Sequence, residues 1–336
     1  MTDADQELPA RRPRTVLKEI SSRAWEHAAD RAALSTLRAI PGFDEVVRKV
    51  YGFFGERGVR LLFQANAVRV GPSQFPRVHA AFTDACATMD WSPRPDLFVS
   101  QTPLVNAGAF GMDHPFIVLN SGALALLDDE ELRTILGHEL GHVMSGHALY
   151  RTILVIILEF GFRNLPFLAG IALLPIQIAL LEWYRKSELS SDRAGLLASQ
   201  DPIASMRMFM KLAGGGKIDE MNLDAFLTQA KEYEEGGDAM DTIYKVLNTL
   251  GYTHPFHTLR AAELQRWVAG GEYDRILRGE YPRRGSDEDK QPLSADLGEA
   301  GRYYAEQAKG AVDAVAGVAK KARDAFQSAF RGPGSQ

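Results

Sequence analysis

The sequence has a single cysteine, Cys86, so no disulfide can form within the chain, and we expect a reducing compartment. Basic residues are not in excess. With 38 lysines and arginines against 43 aspartates and glutamates, the net charge of −5 excludes nucleic acid as an expected partner. The N terminus lacks the apolar run of a secretory signal peptide. These absences predict a cytoplasmic protein, or one associated with the cytoplasmic face of a membrane.

Long apolar runs are also scarce. The stretch 165–181 is free of charge over seventeen residues but contains two prolines, whereas a transmembrane helix needs about 20 apolar residues. It belongs to an apolar insert, residues 152–181, that Glu159 and Arg163 interrupt. Two interpretations stay open for this insert. It forms either buried core helices or a subunit interface, or it is a re-entrant or interfacial anchor with peripheral membrane contact.

The most informative stretch has the pattern H-E-x-x-H. On a helix, His138 and His142 lie on one face and can bind one metal ion, and two neutral imidazoles suit Zn²⁺. Glu139 between them is placed to take a proton from a zinc-bound water. A helix is expected here because Asp128 and Glu131 form a capping-box pattern ahead of apolar residues at helical spacing.

A third metal ligand is predicted downstream of the insert. Glu188 and Asp192 are four residues apart and share a face of a predicted helix. A catalytic zinc has three protein ligands and one open position, so we expect one Zn²⁺ per chain, bound by His138, His142 and Glu188. Asp192 would accept a hydrogen bond from the far nitrogen of a ligand histidine. The alternative is that Glu188 and Asp192 form an acidic pair on a solvated helix face. The H-E-x-x-H motif upstream disfavours this alternative.

These motifs, in this order, resemble the HtpX and CAAX-prenyl-protease family of gluzincin zinc metalloendopeptidases, over roughly residues 75–265. Asn106-Ala-Gly-Ala-Phe110, Phe116-Ile-Val-Leu-Asn-Ser-Gly122 and the His254-Pro255 pair followed by Arg260 match further family elements. The resemblance implies a predominantly helical α+β fold, with a zincin-type catalytic domain and a small sheet whose edge strand lines the cleft. Unlike the integral-membrane members, this chain has no spans before the metal helix.

The resemblance also implies roles for the matching residues. Glu139 would be the general base, and His254 would steady the oxyanion, with His257 as a rival for that part. The implied zinc ligands and their supporting carboxylate are His138, His142, Glu188 and Asp192. Arg260 would hold the cleft together through ion pairs. His147, off the face of the two ligand histidines, is interpreted as structural.

The edge strand is expected to bind substrate. A strand over residues 104–110 would pair with the backbone of a peptide or an unfolded protein, largely independently of its side chains. The implied contact residues are Asn106, Ala107, Gly108 and Ala109.

Three segments are predicted: residues 1–75 as an N-terminal helical region packed on the catalytic domain, 76–281 as the metallopeptidase domain, and 282–336 as a polar linker with an amphipathic helix over about 300–330. That helix would dock on the domain, pair with a partner or contact a membrane. Residues 1–40 could cover the cleft, but a packing helix is expected. The remaining predicted elements are helices over 15–39, 43–54, 76–90 and 196–280, strands over 96–100 and 115–120, and either type over 60–70.

The sequence thus predicts a zinc metalloendopeptidase, with protein quality control as one setting for it. The alternative is a latent or non-catalytic zinc protein that acts as a membrane-associated peptide-binding or assembly factor. The intact Glu139 favours the enzyme, because a structural zinc site has no use for a base.

Overall fold

The computed structural model describes residues 13–160, 168, 173–235 and 256–286. The described helices are α1 Ala28–Arg38, α2 Phe43–Gln64, α3 Pro76–Thr88, α4 Ser121–Leu126, α5 Asp129–Met144, α6 His147–Phe160, α7 Leu173–Ser199, α8 Pro202–Gly214, α9 Leu223–Glu235, α10 His257–Ala269 and α11 Glu272–Leu277. Short 3₁₀ helices cover Ser22–Ala24 and Ile218–Glu220. The strands are β1 Ala67–Arg69, β2 Asp96–Ser100, β3 Ala107–Phe110 and β4 Phe116–Asn120. The predicted helical α+β fold is confirmed.

The four strands form one mixed sheet in the order β1-β2-β4-β3. The central strands β2 and β4 are parallel, and the outer strands pair antiparallel with them. β3 is therefore an edge strand, as predicted, but it begins at Ala107 and not at Leu104. In the preceding segment, the backbone carbonyl of Thr102 accepts a hydrogen bond from the backbone N–H of Gly122. Leu104 and Val105 are left exposed.

The metal helix α5 begins where the capping box predicts. The side chain of Asp128 accepts hydrogen bonds from the backbone N–H groups of Glu130 and Glu131, and the Glu131 carboxylate accepts one from the Asp128 N–H. Three orphan donors at the start of the helix are satisfied in this way. The start of α5 is thus determined by residues adjacent in sequence.

Small residues allow α5 and α7 to pack very closely. A Cβ on Gly195 of α7 would lie 2.7 Å from the carbonyl oxygen of Thr134 and 3.3 Å from Cβ of His138. On α5, a Cβ on Gly137 would lie 2.3 Å from that of Ala198. This close approach brings the histidines of α5 within reach of the acidic residues of α7.

The predicted helix over residues 15–39 is wrong over its first half, where α1 begins only at Ala28. The backbone of residues 15–27 bonds mainly to other segments: Leu17 donates to the carbonyl of Thr88, and Ile20 pairs with Arg283. The apolar residues of this segment, Leu17, Ile20 and Trp25, are nonetheless fully buried. These side chains are buried although the segment follows the domain surface without forming one helix. Their spacing therefore does not indicate a helical face.

Two further boundaries differ from expectation. Gly55, with φ of 59°, interrupts α2, but the helix resumes and continues to Gln64. The ambiguous stretch 60–70 is therefore a helix end followed by the short strand β1, which pairs with β2. Pro202 stands at the first turn of α8 beneath the Asp201 cap, as expected for a proline at that position.

The described part of the apolar insert is largely core. Residues of α6 and of the first half of α7 share a hydrophobic cluster with α1 and α2. The fully or nearly fully buried members from the insert are Ile153, Leu154, Ile156, Ile157, Leu168, Ile176 and Leu180. Among the described helices, none alone is long and apolar enough for a membrane span. α5 and α6 pass that test only together, with a bend of 95° between them. The predicted C-terminal helix lies outside the described residues.

Candidate metal centre and active site

Three buried side chains from two helices converge on one point. The Nε2 atoms of His138 and His142 are 3.2 Å apart. Glu188 of α7 places one carboxylate oxygen 3.2 Å from Nε2 of His142 and the other 3.6 Å from Nε2 of His138. A tetrahedral ion with ligand bonds of about 2.0–2.1 Å separates its ligand atoms by about 3.3 Å. The cluster therefore fits a metal ion, and it consists of the three residues that the sequence predicted.

His142 is held in the neutral form, which is the form that binds a metal ion. Burial lowers the pKa of His142 well below its ordinary value, and this effect exceeds the opposing effect of the hydrogen bond with Glu188. The imidazole is consequently neutral at pH 7 and has a lone pair that a metal ion can bind. Metal binding would not have to displace a proton from this residue.

Asp192 lies behind His138, where the sequence places it. Its Oδ1 is 3.0 Å from Nδ1 of His138, and Arg260 donates two hydrogen bonds to its carboxylate, at 2.6 and 2.8 Å. Burial alone would raise the pKa of Asp192, but Arg260 and the hydrogen bond with His138 outweigh it, so the pKa lies below its ordinary value. An ionised Asp192 holds the Nδ1 proton of His138 and leaves Nε2 facing the cluster.

Arg260 also contacts the predicted metal ligand on α7. One of its guanidinium nitrogens is 3.1 Å from Oε2 of Glu188. Arg260, on α10, thus contacts both acidic residues of α7. Burial opposes its charge, but the neighbouring carboxylates keep the pKa of Arg260 above its ordinary value. The structure places it as a support for the site, consistent with the ion-pair role that the resemblance implies.

His147 has a closer connection to the site than its spacing suggests. Its Nδ1 is 3.1 Å from Nδ1 of His142, and its Nε2 is 3.2 Å from Oδ2 of Asp30 on α1. Asp30 also accepts a hydrogen bond of 2.6 Å from the Ser190 hydroxyl. Sequence reasoning missed Asp30 entirely. The sequence carried one signal for this role, because His147 lies only about one helical turn beyond the H-E-x-x-H motif. It comes close to His142 because the chain bends between α5 and α6.

Glu139 stands beside the cluster with its two oxygens in different surroundings. Oε1 lies 4.0 Å from Nε2 of His138, on the side of the cluster. Oε2 accepts a hydrogen bond of 3.0 Å from Arg151 of α6. Arg151 was not singled out from the sequence, because nothing in its local pattern distinguishes it from a surface arginine. It is buried.

A cleft of about 690 Å³ opens onto the cluster. His138, Glu139 and Glu188 lie at its base, and Asn106 and Ala107 line one wall. Gly108 and Ala109, the other two predicted substrate contacts, are in β3 but are not among the residues that line the cleft. His257 lines the cleft at the start of α10, whereas His254 lies outside the described residues. The arrangement presents a candidate metal site, the Glu139 carboxylate and a strand edge to one cavity.

Comparison with known proteins agrees with this geometry. The family model described as Peptidase family M48 matches residues 72–268. The chain is 32% identical to the chloroplastic plastoglobule-localized metallopeptidase 48 of Arabidopsis thaliana, over 79% of this chain and 78% of that protein. It is 28% identical to the protease HtpX homologue of Pseudarthrobacter chlorophenolicus, over 64% of this chain and 80% of that protein. No solved structure matches the chain.

Proposed function

This chain belongs to peptidase family M48, and on that premise we propose that it is a zinc-dependent endopeptidase that hydrolyses internal peptide bonds of proteins. The observation that supports this most directly is the convergence of His138, His142 and Glu188 beside a carboxylate base in an open cleft. A purely structural zinc site uses four protein ligands and is closed. Three ligands at the base of a cleft leave a position for a reacting molecule.

The donor set favours Zn²⁺ over the hard cations. Two imidazole nitrogens and one carboxylate form a set found in catalytic zinc sites, whereas Mg²⁺ and Ca²⁺ prefer oxygen ligands only. When bound, Zn²⁺ supplies the Lewis acid that lowers the pKa of a water and polarises a carbonyl. The buried outer contacts, Asp192 and His147, orient the two ligand imidazoles toward it.

Glu139 is the proposed proton carrier. Its Oε1 is directed toward the cluster and accepts a proton from the attacking water. The same carboxyl group then delivers this proton to the leaving amine, so that the residue returns to its starting state. His254 is retained as the proposed oxyanion group, and His257, which lines the cleft, is the alternative.

The proposed substrate is an extended peptide or a segment of unfolded protein. Asn106 and Ala107 are the proposed contacts, because they lie where the edge strand enters the cleft. At such an edge the enzyme would bind the backbone of the substrate, so peptides of many different sequences would be accepted. This breadth supports a role in protein quality control.

The test is to measure metal content and casein cleavage for the parent, for Glu139→Gln and for Glu130→Gln. Glu130 is the matched control, because it lies on the same helix and pairs with Arg133. We expect one zinc per chain in all three proteins, with cleavage lost only in Glu139→Gln. Zinc in all three without cleavage in any would favour the alternative, a latent or non-catalytic peptide-binding protein. Absence of zinc from the parent would refute the proposal.

We also propose that the protein makes peripheral contact with a lipid surface on the cytoplasmic side of a membrane. Leu174 and Ile178 are four residues apart on α7 and are 60% and 54% exposed. Together they form an apolar face at the start of that helix. The double substitution Leu174→Glu with Ile178→Glu should abolish co-flotation with lipid vesicles, whereas Ile203→Glu, at an exposed position on α8, should not. Equal flotation of the parent, the double variant and Ile203→Glu would refute this contact.

A further inference from the structure

Arg151 bridges the two parts of the cleft that must act on the same peptide bond. One terminal nitrogen of its guanidinium donates to Oε2 of Glu139, at 3.0 Å, and the other donates to the backbone carbonyl of Ala107, at 2.9 Å. Glu139 is the proposed base, and Ala107 belongs to the proposed peptide-binding strand. Both bonds come from one planar group, so the separation of their acceptors is determined by its fixed geometry.

The carbonyl that Arg151 contacts lies on the free edge of the sheet. The preceding carbonyl, of Asn106, accepts a hydrogen bond of 3.0 Å from the N–H of Asn120, on the side of β4. Successive carbonyls of a strand alternate in direction, so the carbonyl of Ala107 faces away from β4. A carbonyl oxygen has two lone pairs. Arg151 occupies one, and within the described part of the chain the other is open to an N–H of a peptide in the cleft.

The surroundings of Arg151 hold the guanidinium rigidly. It is buried between two aromatic rings, with its central carbon 5.2 Å from the centroid of Phe110 and 5.1 Å from that of Tyr184. Gly108 provides the necessary space, because a Cβ at that position would lie 3.0 Å from a guanidinium nitrogen of Arg151 and 2.5 Å from the ring of Phe110. The need for this space explains why residue 108 of β3 is a glycine. A role in substrate contact would not explain it.

We propose that Arg151 is a positioning residue that sets the register between the base Glu139 and the peptide bound along β3. This inference depends on the proposed function. By binding Oε2, Arg151 holds the carboxylate with Oε1 facing the metal cluster. By binding the Ala107 carbonyl, it keeps the strand edge at one distance from that oxygen. Such a restraint matters because small misplacements of reacting groups reduce rates steeply.

The decisive variant is Arg151→Lys, which keeps the positive charge but has one nitrogen in place of two. A lysine cannot bridge both acceptors in the same geometry. Arg133→Lys is the matched control. Arg133 is also buried and also bridges two acceptors, the carboxylates of Glu130 and Asp84. Neither of these acceptors lines the cleft, whereas Glu139 and Ala107, the acceptors of Arg151, both do. Any general effect of replacing a buried, bridging arginine should appear in both variants.

The probe is a phosphinic peptide, in which an uncleavable tetrahedral phosphinate replaces one peptide bond. We expect Arg151→Lys to retain one zinc per chain, to bind the phosphinic peptide about tenfold more weakly and to show a kcat reduced by about tenfold or more, as for the loss of one charge-assisted hydrogen bond. Arg133→Lys should match the parent in zinc content, affinity and kcat. KM should change less than kcat, because the base is mispositioned in the bound complex.

The outcomes separate this inference from the proposed function. Parent-like affinity and kcat in Arg151→Lys would overturn the positioning role, and so would equal losses in Arg133→Lys. Loss of zinc from Arg151→Lys would also overturn it, since Arg151 would then act through the metal site. If the parent binds the phosphinic peptide but cleaves no peptide, the proposed function fails, and the affinity of Arg151→Lys alone decides the role of Arg151.

Discussion

Asp30 and His147 are 3.2 Å apart, measured from Oδ2 to Nε2, and they connect the N-terminal helix α1 to the candidate metal centre. His147 in turn contacts His142 through the two Nδ1 atoms, at 3.1 Å. Asp30 lies outside the part of the chain matched by the family model. A segment beyond the shared domain therefore contributes a carboxylate behind the metal site.

The first prediction concerns this chain of contacts. Asp30→Asn and His147→Gln should each weaken zinc binding by about 10- to 100-fold, the effect usual for groups that orient a ligand histidine. The measurement is competition with a chelator for Zn²⁺ in the purified protein. His114→Gln is the control, because His114 is an exposed histidine in the loop between β3 and β4. Unchanged zinc affinity in both variants would show that α1 only packs against the domain.

A second prediction concerns the ligand on α7. Glu188→Gln replaces a charged ligand by a neutral amide, so zinc should be lost on dialysis against a weak chelator, with an affinity lowered by at least about tenfold. Glu182→Gln serves as the control, since Glu182 is on the same helix but is partly exposed and pairs with Arg185. If Glu188→Gln retains zinc as the parent does, the third ligand has been misassigned.

The close contact between α5 and α7 gives a third prediction. Gly195→Ala should destabilise the protein by about 2 kcal/mol, because the added methyl group meets the backbone carbonyl of Thr134 at 2.7 Å. Gly52→Ala, in the exposed interior of α2 with nothing within 4 Å, should instead stabilise it by up to about 1 kcal/mol. Urea unfolding of both variants measures the difference. Equal effects of the two substitutions would contradict the close packing.

The pH dependence of stability gives a fourth prediction. His27 caps α1 by accepting a hydrogen bond from the N–H of Ala29, and burial, aided by nearby cations such as Arg193, lowers its pKa well below the ordinary value. As the pH falls below about 6.5, the unfolded chain takes up a proton at this residue before the folded protein does. The folded state should therefore lose about 1 kcal/mol relative to the unfolded state between pH 6.5 and 5.5.

His27→Asn isolates this contribution. Asparagine caps a helix without titrating in this range, so the variant should lose less stability than the parent between pH 7.5 and 5.5. Urea midpoints at the two pH values, with chelator present in both samples, give the comparison. Parallel losses in the two proteins would exclude His27 as a source of the pH dependence.

Part of this molecule follows directly from local sequence. The capping box at Asp128 determines the start of α5, and the four-residue spacings of His138 with His142 and of Glu188 with Asp192 place each pair on one helix face. Helical periodicity is a property of neighbouring residues, so no knowledge of the fold was needed to predict these pairs. That the two pairs meet at one point was predicted from chemistry, because a catalytic zinc site needs three protein ligands.

Other features depended on contacts between distant segments. Residues 15–27 resemble a helix in their apolar spacing, yet their backbone bonds to Thr88 and to the segment near Arg283. Spacing reports which residues are buried but not which partner satisfies the backbone. The ambiguity of residues 60–70 has the same origin, because the pairing of β1 with β2 is a tertiary contact.

The sequence was enough to predict the helix α5, its two histidines and the carboxylate between them, because these features depend only on spacing along one helix. The tertiary structure alone decided that Asp30 and Arg151 belong to the site. Asp30 and Arg151 lie on helices whose local sequence gives no sign of such a role. Their contacts depend on how α1 and α6 pack against α5 and α7. Side chains that orient others are specified by position in space, and that position exists only once the chain has folded.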